Sequence, residues 1–207
     1  MIDASHEPFE RNIALTKEIT ERAHDRGIAV EAELGVLAGI EDVGDSASGK
    51  AHCTDPDQAA EFVERSGCDS LAVAVGTSHG AYKFKGDASL NLDVLGRIQK
   101  ALPGFPLVLH GASSVPEREV ARINNAGGTL KTDARGISAG ELQSAIRTGV
   151  VKINIATDMR LLWTRVCREF FLATPDLFDP VIPGKRYMEE LKHLVKQKCQ
   201  ELIVERH

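Results

Sequence analysis

Leu107-Val108-Leu109-His110-Gly111-Ala112-Ser113 is an apolar run that ends on a histidine and breaks at once into a turn of small residues. Gly76-Thr77-Ser78-His79-Gly80-Ala81-Tyr82-Lys83 does the same after the β-rich residues 70–75. A strand, its loop and a returning helix take roughly 30 residues, and about that distance separates His79 from His110. Two strands spaced in this way run parallel. Both histidines then stand on one rim, at the carboxyl ends of the strands, where α/β proteins bind ligands and do chemistry.

Working outward, the same unit recurs. Residues 1–3 read as the tail of a strand and residues 8–26 as a helix stopped by Gly27. Residues 28–34 alternate, with Val30, Ala32 and Leu34 on one face and Glu31 and Glu33 on the other, where two inward carboxylates need partners. Residues 35–54 form a Gly, Asp and Ser-rich loop whose length of about 20 residues suits a lid or binding loop. Asp55-Pro56 opens a helix that Gly67 stops, and residues 91–101 form the next. Ser114-Val115-Pro116-Glu117 and Ser138-Ala139-Gly140-Glu141 have the spacing of capping boxes, each opening a further helix. Residues 151–155 make another strand, and residues 157–173 and 187–205 make two long amphipathic helices, with Trp163 on the first as a packing residue.

This alternation selects a parallel α/β architecture with right-handed crossovers. The pattern gives about five strands, whereas an eight-stranded (β/α)8 barrel, the TIM barrel, takes about 250 residues. The economical reading is a single domain over residues 1–207 that forms a partial TIM barrel lacking its first units. A doubly wound open sheet is the alternative, weakened because no GxGxxG turn follows any strand.

The 207 residues are 43% hydrophobic and 27% charged, enough for a real core. A net charge of -5, with basic residues dispersed, argues against a nucleic-acid surface. No apolar stretch suits a membrane span and no signal-peptide pattern opens the chain. Cys53, Cys68, Cys167 and Cys199 form no CxxC pair and read as free thiols of a cytoplasmic protein.

His79 and His110 suit a catalytic zinc, which takes three protein ligands and keeps one position open. Asp3 and Glu33 end adjacent strands on the same rim, where they would hold a second cation or pair with a basic residue. Small-residue turns follow three strand ends: at Gly80, at Gly111, Ala112 and Ser113, and at Asn154, Ile155, Ala156 and Thr157. Such turns aim backbone N–H groups and a hydroxyl at an anion, and Lys83 would add a cation. The same residues also serve ordinary turns.

Five ordered motifs, Met-Ile-Asp-Ala-Ser-His, Val-Glu-Ala-Glu-Leu-Gly, Gly-Thr-Ser-His-Gly-Ala-Tyr-Lys, Leu-Val-Leu-His-Gly-Ala-Ser and Lys-Ile-Asn-Ile-Ala-Thr-Asp, together resemble class II fructose-bisphosphate aldolase. The resemblance implies a zinc-dependent barrel, usually a homodimer or homotetramer, that reversibly cleaves fructose 1,6-bisphosphate to dihydroxyacetone phosphate and glyceraldehyde 3-phosphate. Carried over by motif, it makes His79 and His110 zinc ligands and puts Asp3 and Glu33 at a second cation position. Gly80, Gly111, Ala112, Ser113, Asn154, Ile155, Ala156 and Thr157 would cradle the phosphate, and Glu41 would move protons on the ketose. The chain departs from the family twice. The Asp-His pair, which gives the family a general acid or base and a third zinc ligand, is absent from this sequence, so a non-catalytic remnant or interaction subunit is an alternative. Ala156 stands where many fructose-bisphosphate enzymes have Asp, which leaves tagatose-bisphosphate and other ketose-bisphosphate aldolases of the superfamily open.

Overall fold

In the computed structural model, residues 1–35, 53–76 and 89–204 are described. They form seven helices and four strands: α1 (Phe9–His24), β1 (Glu31–Leu34), α2 (Pro56–Ser66), β2 (Ser70–Val73), α3 (Leu92–Ala101), β3 (Leu107–Leu109), α4 (Glu117–Asn125), α5 (Ala139–Arg147), β4 (Val150–Ile153), α6 (Thr157–Ala173) and α7 (Val181–Leu202). The strands lie in the order β1-β2-β3-β4, and every pairing is parallel. The expected fifth strand is absent from the described residues. Residues 1–3 contribute one ladder-like bond, from Ile2 N–H to the Glu31 carbonyl at 2.8 Å, too little for a strand.

The helices begin and end where local chemistry dictates. Asp55 accepts the N–H groups of Asp57 and Gln58, Pro56 occupies the first turn of α2, and Gly67 ends it in the left-handed region at φ 68°. The box at Ser138 and Glu141 forms as expected and starts α5. The one expected at Ser114 does not form. Pro116 caps α4 without a side-chain bond, because the Ser114 hydroxyl donates to Asp158 instead. Trp163 is 44% exposed and meets Tyr187 of α7 edge-on, with centroids 5.1 Å apart, so it packs at a surface seam rather than in the interior.

Along β1, β2 and β3 the sheet separates its two faces cleanly, and a register shift between β3 and β4 lets Val150 join the core while Lys152 falls on the other face. Ala32, Leu34, Leu71, Val73, Leu107, Leu109 and Val150 join the main core with Phe62, Leu95 and Ile98 of the covering helices. Fully burying one side chain of this size contributes about 1.5–3 kcal/mol. Their strand neighbours Glu31, Glu33, Ala72, Val108 and His110 fall on the opposite, concave face by strict alternation and parallel register. A second, smaller cluster of Val115, Val120, Ile123, Ala134 and Leu161 supports the chain where it leaves β3.

Thr54 joins the ends of β1 and β2. Its hydroxyl donates to the Leu34 carbonyl at 2.5 Å and accepts the Ala74 N–H at 2.8 Å. Gly35 follows at φ 101°, and a Cβ there would lie 2.7 Å from both Ala74 and Thr54. Only glycine lets the chain turn off β1 against that pair.

Candidate functional site

On the concave face, β1 supplies Glu31 and Glu33 while β3 delivers His110 at its carboxyl end. Between them β2 carries Ala72, in register with both Glu33 and Val108. Its short side chain lets the carboxylates reach across two strand spacings. His110 Nδ1 lies 2.8 Å from Glu33 Oε2, and Nε2 lies 3.1 Å from Glu31 Oε1. Lys152 of β4 donates to the other Glu31 oxygen at 2.7 Å. The His110 and Glu33 side chains are each 6% exposed and that of Glu31 11%, so the cluster is dry except at Lys152.

A carboxylate stands at each ring nitrogen, so the charged form of the imidazole has an acceptor for each of its N–H groups. Burial opposes its charge, but the bonds and charges of Glu33 and Glu31 outweigh burial and raise its pKa above the ordinary histidine value. Burial likewise opposes ionisation of Glu31, yet Lys152 and His110 hold its carboxyl below the usual range. The inward carboxylates thus find their partners in His110 and Lys152.

Beyond His110 the chain enters the small-residue turn, and the two turns expected to serve an anion meet. Asn154 N–H bonds to the Leu109 carbonyl at 2.9 Å and Ala112 N–H to the Asn154 carbonyl at 3.4 Å. Ser113 Oγ accepts the N–H groups of Ala156 and Thr157 at 3.2 and 2.9 Å. Ser113 therefore sits at the N-terminus of the 17-residue α6, where the helix dipole favours negative charge and the hydroxyl proton remains to be given. Behind the turn, Val115 holds φ 48°, a costly value for a β-branched residue at about 1–3 kcal/mol. Bonds from Asp158 to Ser114 and Val115 over-determine that conformation.

The site residues expected from sequence divide into three groups. Glu33 and His110 are brought into contact, and the turn at Gly111, Ala112 and Ser113 is joined to the turn at Asn154, Ile155, Ala156 and Thr157 by the bonds of Ala112 to Asn154 and of Ser113 to Ala156 and Thr157. Asp3 is exposed, with its carboxylate on the Ser5 N–H and hydroxyl. Glu41, His79, Gly80 and Lys83 lie outside the described residues, as does most of the 35–54 loop. Sequence reasoning did not single out Lys152, Asp158 or Lys198 for the site. Glu31 carried a usable signal, since its inward position beside Glu33 required a cation.

An imidazole flanked by carboxylates is the donor chemistry a divalent ion takes. His110 fits as one donor to such an ion through Nε2, with Glu33 holding the ring at Nδ1. Among the described residues, no group of three or more His, Cys, Asp or Glu side chains is placed to hold an ion.

Residues 1–205 match the family described as fructose-bisphosphate aldolase class-II. The chain is 47% identical over 204 residues to a fructose-bisphosphate aldolase of Thermus caldophilus, covering 97% of this chain and 65% of that protein. It is 44% identical over 196 residues to one of Giardia intestinalis, covering 92% of this chain and 59% of the other. Among solved structures, the YdjI aldolase from Escherichia coli superposes with a TM-score of 0.69 at 34% identity, over 97% of this chain and 59% of that one. A putative fructose-1,6-biphosphate aldolase from Coccidioides immitis gives a TM-score of 0.75 at 26% identity, over 98% and 61%. The chain spans less than two thirds of the length of each of these relatives.

Proposed function

The chain belongs to the class II fructose-bisphosphate aldolase family of TIM-barrel proteins, and on that footing we propose that it serves the reversible cleavage of fructose 1,6-bisphosphate to dihydroxyacetone phosphate and glyceraldehyde 3-phosphate. One observation carries this reading: the buried His110, Glu33 and Glu31 cluster runs directly into the joined 111–113 and 154–157 turns. Charge-handling groups and an anion cradle thereby share one strand rim. A ketose phosphate requires that pairing.

The family is metal-dependent, and zinc is the ion we assign. His110 would hold it together with His79, which sequence alone nominates. When bound, the ion supplies positive charge to the enediolate left as the carbon–carbon bond breaks. The remaining work falls to the chain. The 111–113 and 154–157 turns bind the phosphate through Ser113 Oγ and the end of α6, at a distance from the reacting carbons, and so fix their orientation. Glu33 holds the His110 ring by its Nδ1, which sets the direction of Nε2. Glu41, from the 35–54 loop, is the group proposed to move protons on the ketose. Asp3 and Glu33 are proposed at a second cation position, and Gly80 and Lys83 at the phosphate.

Four free cysteines support a reducing cytoplasmic setting. Exposed Phe178, Val181, Ile182 and Met188 support self-association as a homodimer or homotetramer.

A coupled assay for triose phosphates, run on the chain with and without a chelator, tests the assignment. Turnover of fructose 1,6-bisphosphate that disappears on chelation and returns with zinc supports it. Turnover indifferent to chelation overturns the metal's part, and preference for tagatose 1,6-bisphosphate overturns the substrate. Absence of turnover and of dihydroxyacetone phosphate binding overturns the aldolase reading for this chain.

A further inference from the structure

Asp158 stands in the first turn of α6, where an acidic side chain ordinarily serves the amides of its own helix. Here both oxygens go elsewhere. Oδ2 accepts the Ser114 N–H at 3.0 Å and the Ser114 hydroxyl at 2.8 Å, and Oδ1 accepts the Val115 N–H at 2.8 Å. The side chain is 1% exposed. Lys198 of α7 reaches the same place, donating to Ser114 Oγ at 3.1 Å and lying 3.6 Å from Asp158 Oδ2. It also meets Glu201 at 3.1 Å.

These bonds cross those of the cradle. Ser113, from the turn after β3, takes amides at the start of α6, while Asp158, from the start of α6, takes amides of the turn after β3. Neither segment can shift without breaking bonds in both directions. A buried carboxylate this close to an anion site would repel the anion if it stood alone, and Lys198 supplies the balancing charge.

We infer that Asp158, balanced by Lys198, is the positioning residue that fixes the 111–113 turn against the 154–157 turn so that both present donors to one phosphate. This rests on the proposed reading of those turns as the phosphate cradle. It makes α7 part of the site's support. Asp158 itself touches no substrate.

The test turns on a sign. If Asp158 were only a nearby negative charge, Asp158→Asn would tighten anion binding, because a repulsive charge is removed. If it positions the turns, Asp158→Asn weakens binding, because an amide cannot accept from all three donors and still balance Lys198. Inorganic phosphate and dihydroxyacetone phosphate are titrated calorimetrically into the chain, Asp158→Asn and Lys198→Met. Melting curves set a temperature at which all three are folded. The expected result is a loss of roughly tenfold or more in affinity for both anions in Asp158→Asn, the scale of losing bonds to a charged acceptor. Lys198→Met loses at least as much. Should Asp158→Asn fail to fold, Ser114→Ala, which removes the hydroxyl between Asp158 and Lys198, is expected to weaken both anions in the same direction. Unchanged or tighter binding in a folded variant overturns the positioning role while leaving the cradle intact. A parent chain that binds neither anion overturns the cradle, and the positioning role falls with it.

Discussion

Replacing Arg165 by Met isolates the largest ionic cluster of the helical layer. The guanidinium is 2% exposed and bonds Glu119 through Nε at 2.6 Å, Glu169 through Nη1 at 3.2 Å and Glu190 through Nη2. It therefore ties α4, α6 and α7 together. Burial works against its charge, and the bonds to Glu190 and Glu119 more than offset that. Methionine keeps the stem's packing and removes the charge, leaving three carboxylates crowded together. Breaking a buried ion pair by deleting one partner costs about 3–5 kcal/mol. The acids here are 19%, 23% and 33% exposed, so they rehydrate in part. Arg122 also holds Glu169 at 2.7 Å, and Arg186 holds Glu190 at 3.3 Å. The expected loss is thus about 2–3 kcal/mol at neutral pH, or roughly 4–12 °C in Tm for a chain of this size. Urea unfolding followed by circular dichroism measures it. Burial raises the pKa values of Glu169 and Glu190, but their arginine partners outweigh burial and hold both below the usual range. The unfolded chain therefore binds more protons in acid, and the network's contribution is complete above the ordinary carboxylate range and fades as pH falls through the native values. The gap between parent and variant must narrow in acid. Adding Glu119→Gln and Glu190→Gln to Arg165→Met should restore most of the loss, since a matched uncharged cluster leaves no orphan charge. A loss under about 1 kcal/mol at neutral pH, or a gap that widens in acid, refutes the reasoning.

Ala72→Leu places a branched side chain on the concave face between Glu33 and His110; overpacking costs about 1–3 kcal/mol, and histidine NMR should show the His110 pKa falling as its carboxylate is displaced. An unchanged His110 titration would count against that path across β2. Gly136→Ala puts a Cβ 2.0 Å from the Ser113 carbonyl oxygen, a backbone clash expected to lower the urea midpoint by about 2 kcal/mol or more, and a parental midpoint would contradict it. Asp69 is held below its ordinary pKa by its bond to His24 and then by the Val30 N–H. That part of the stability is present above the usual carboxylate range and lost as pH falls through the lowered value, so Asp69→Asn should flatten the acid limb of the stability curve. The carboxyl is 41% exposed, which keeps the effect below about 1 kcal/mol, and superimposable curves would exclude it.

Most of this architecture is visible in strand alternation and punctuation. The period of two in residues 28–34 put Glu31 and Glu33 on one face, and the fold uses that face for His110. Leu107–Leu109 and Thr157–Ala173 begin and end where their patterns do. What the pattern misjudged depended on partners distant in sequence. Ser114 has the spacing of a cap for α4, but Asp158, 44 positions later, offers a charged acceptor, and a charge-assisted bond outcompetes a neutral cap. The amphipathic pattern starts the last helix at residue 187, yet α7 begins at Val181 and takes in Pro183 and Gly184. Proline in a first turn lacks only an N–H that the helix would leave unsatisfied, and packing against α6 supplies the rest. Lys152 gave no local sign of belonging to the site. Its role exists only once β4 and β1 share a concave face.

That last contact carries more than a site assignment. β1 and β4 are the two edges of the sheet, and in a flat sheet three strand spacings would separate them by about 14 Å. Side chains stand roughly perpendicular to a sheet, so Glu31 and Lys152 can meet at 2.7 Å only if the sheet curls and their side chains lean inward together. The curl is the curvature of a barrel wall, and the same curl carries Glu33 across Ala72 to His110. Larger side chains on β2 would flatten the face and part the acids from the ring. The smallness of Ala72, the bend of the sheet and the hydrogen bond between Glu33 and His110 are thus three aspects of one constraint, imposed from the convex side by the helices that pack on Leu71, Leu107 and Leu109.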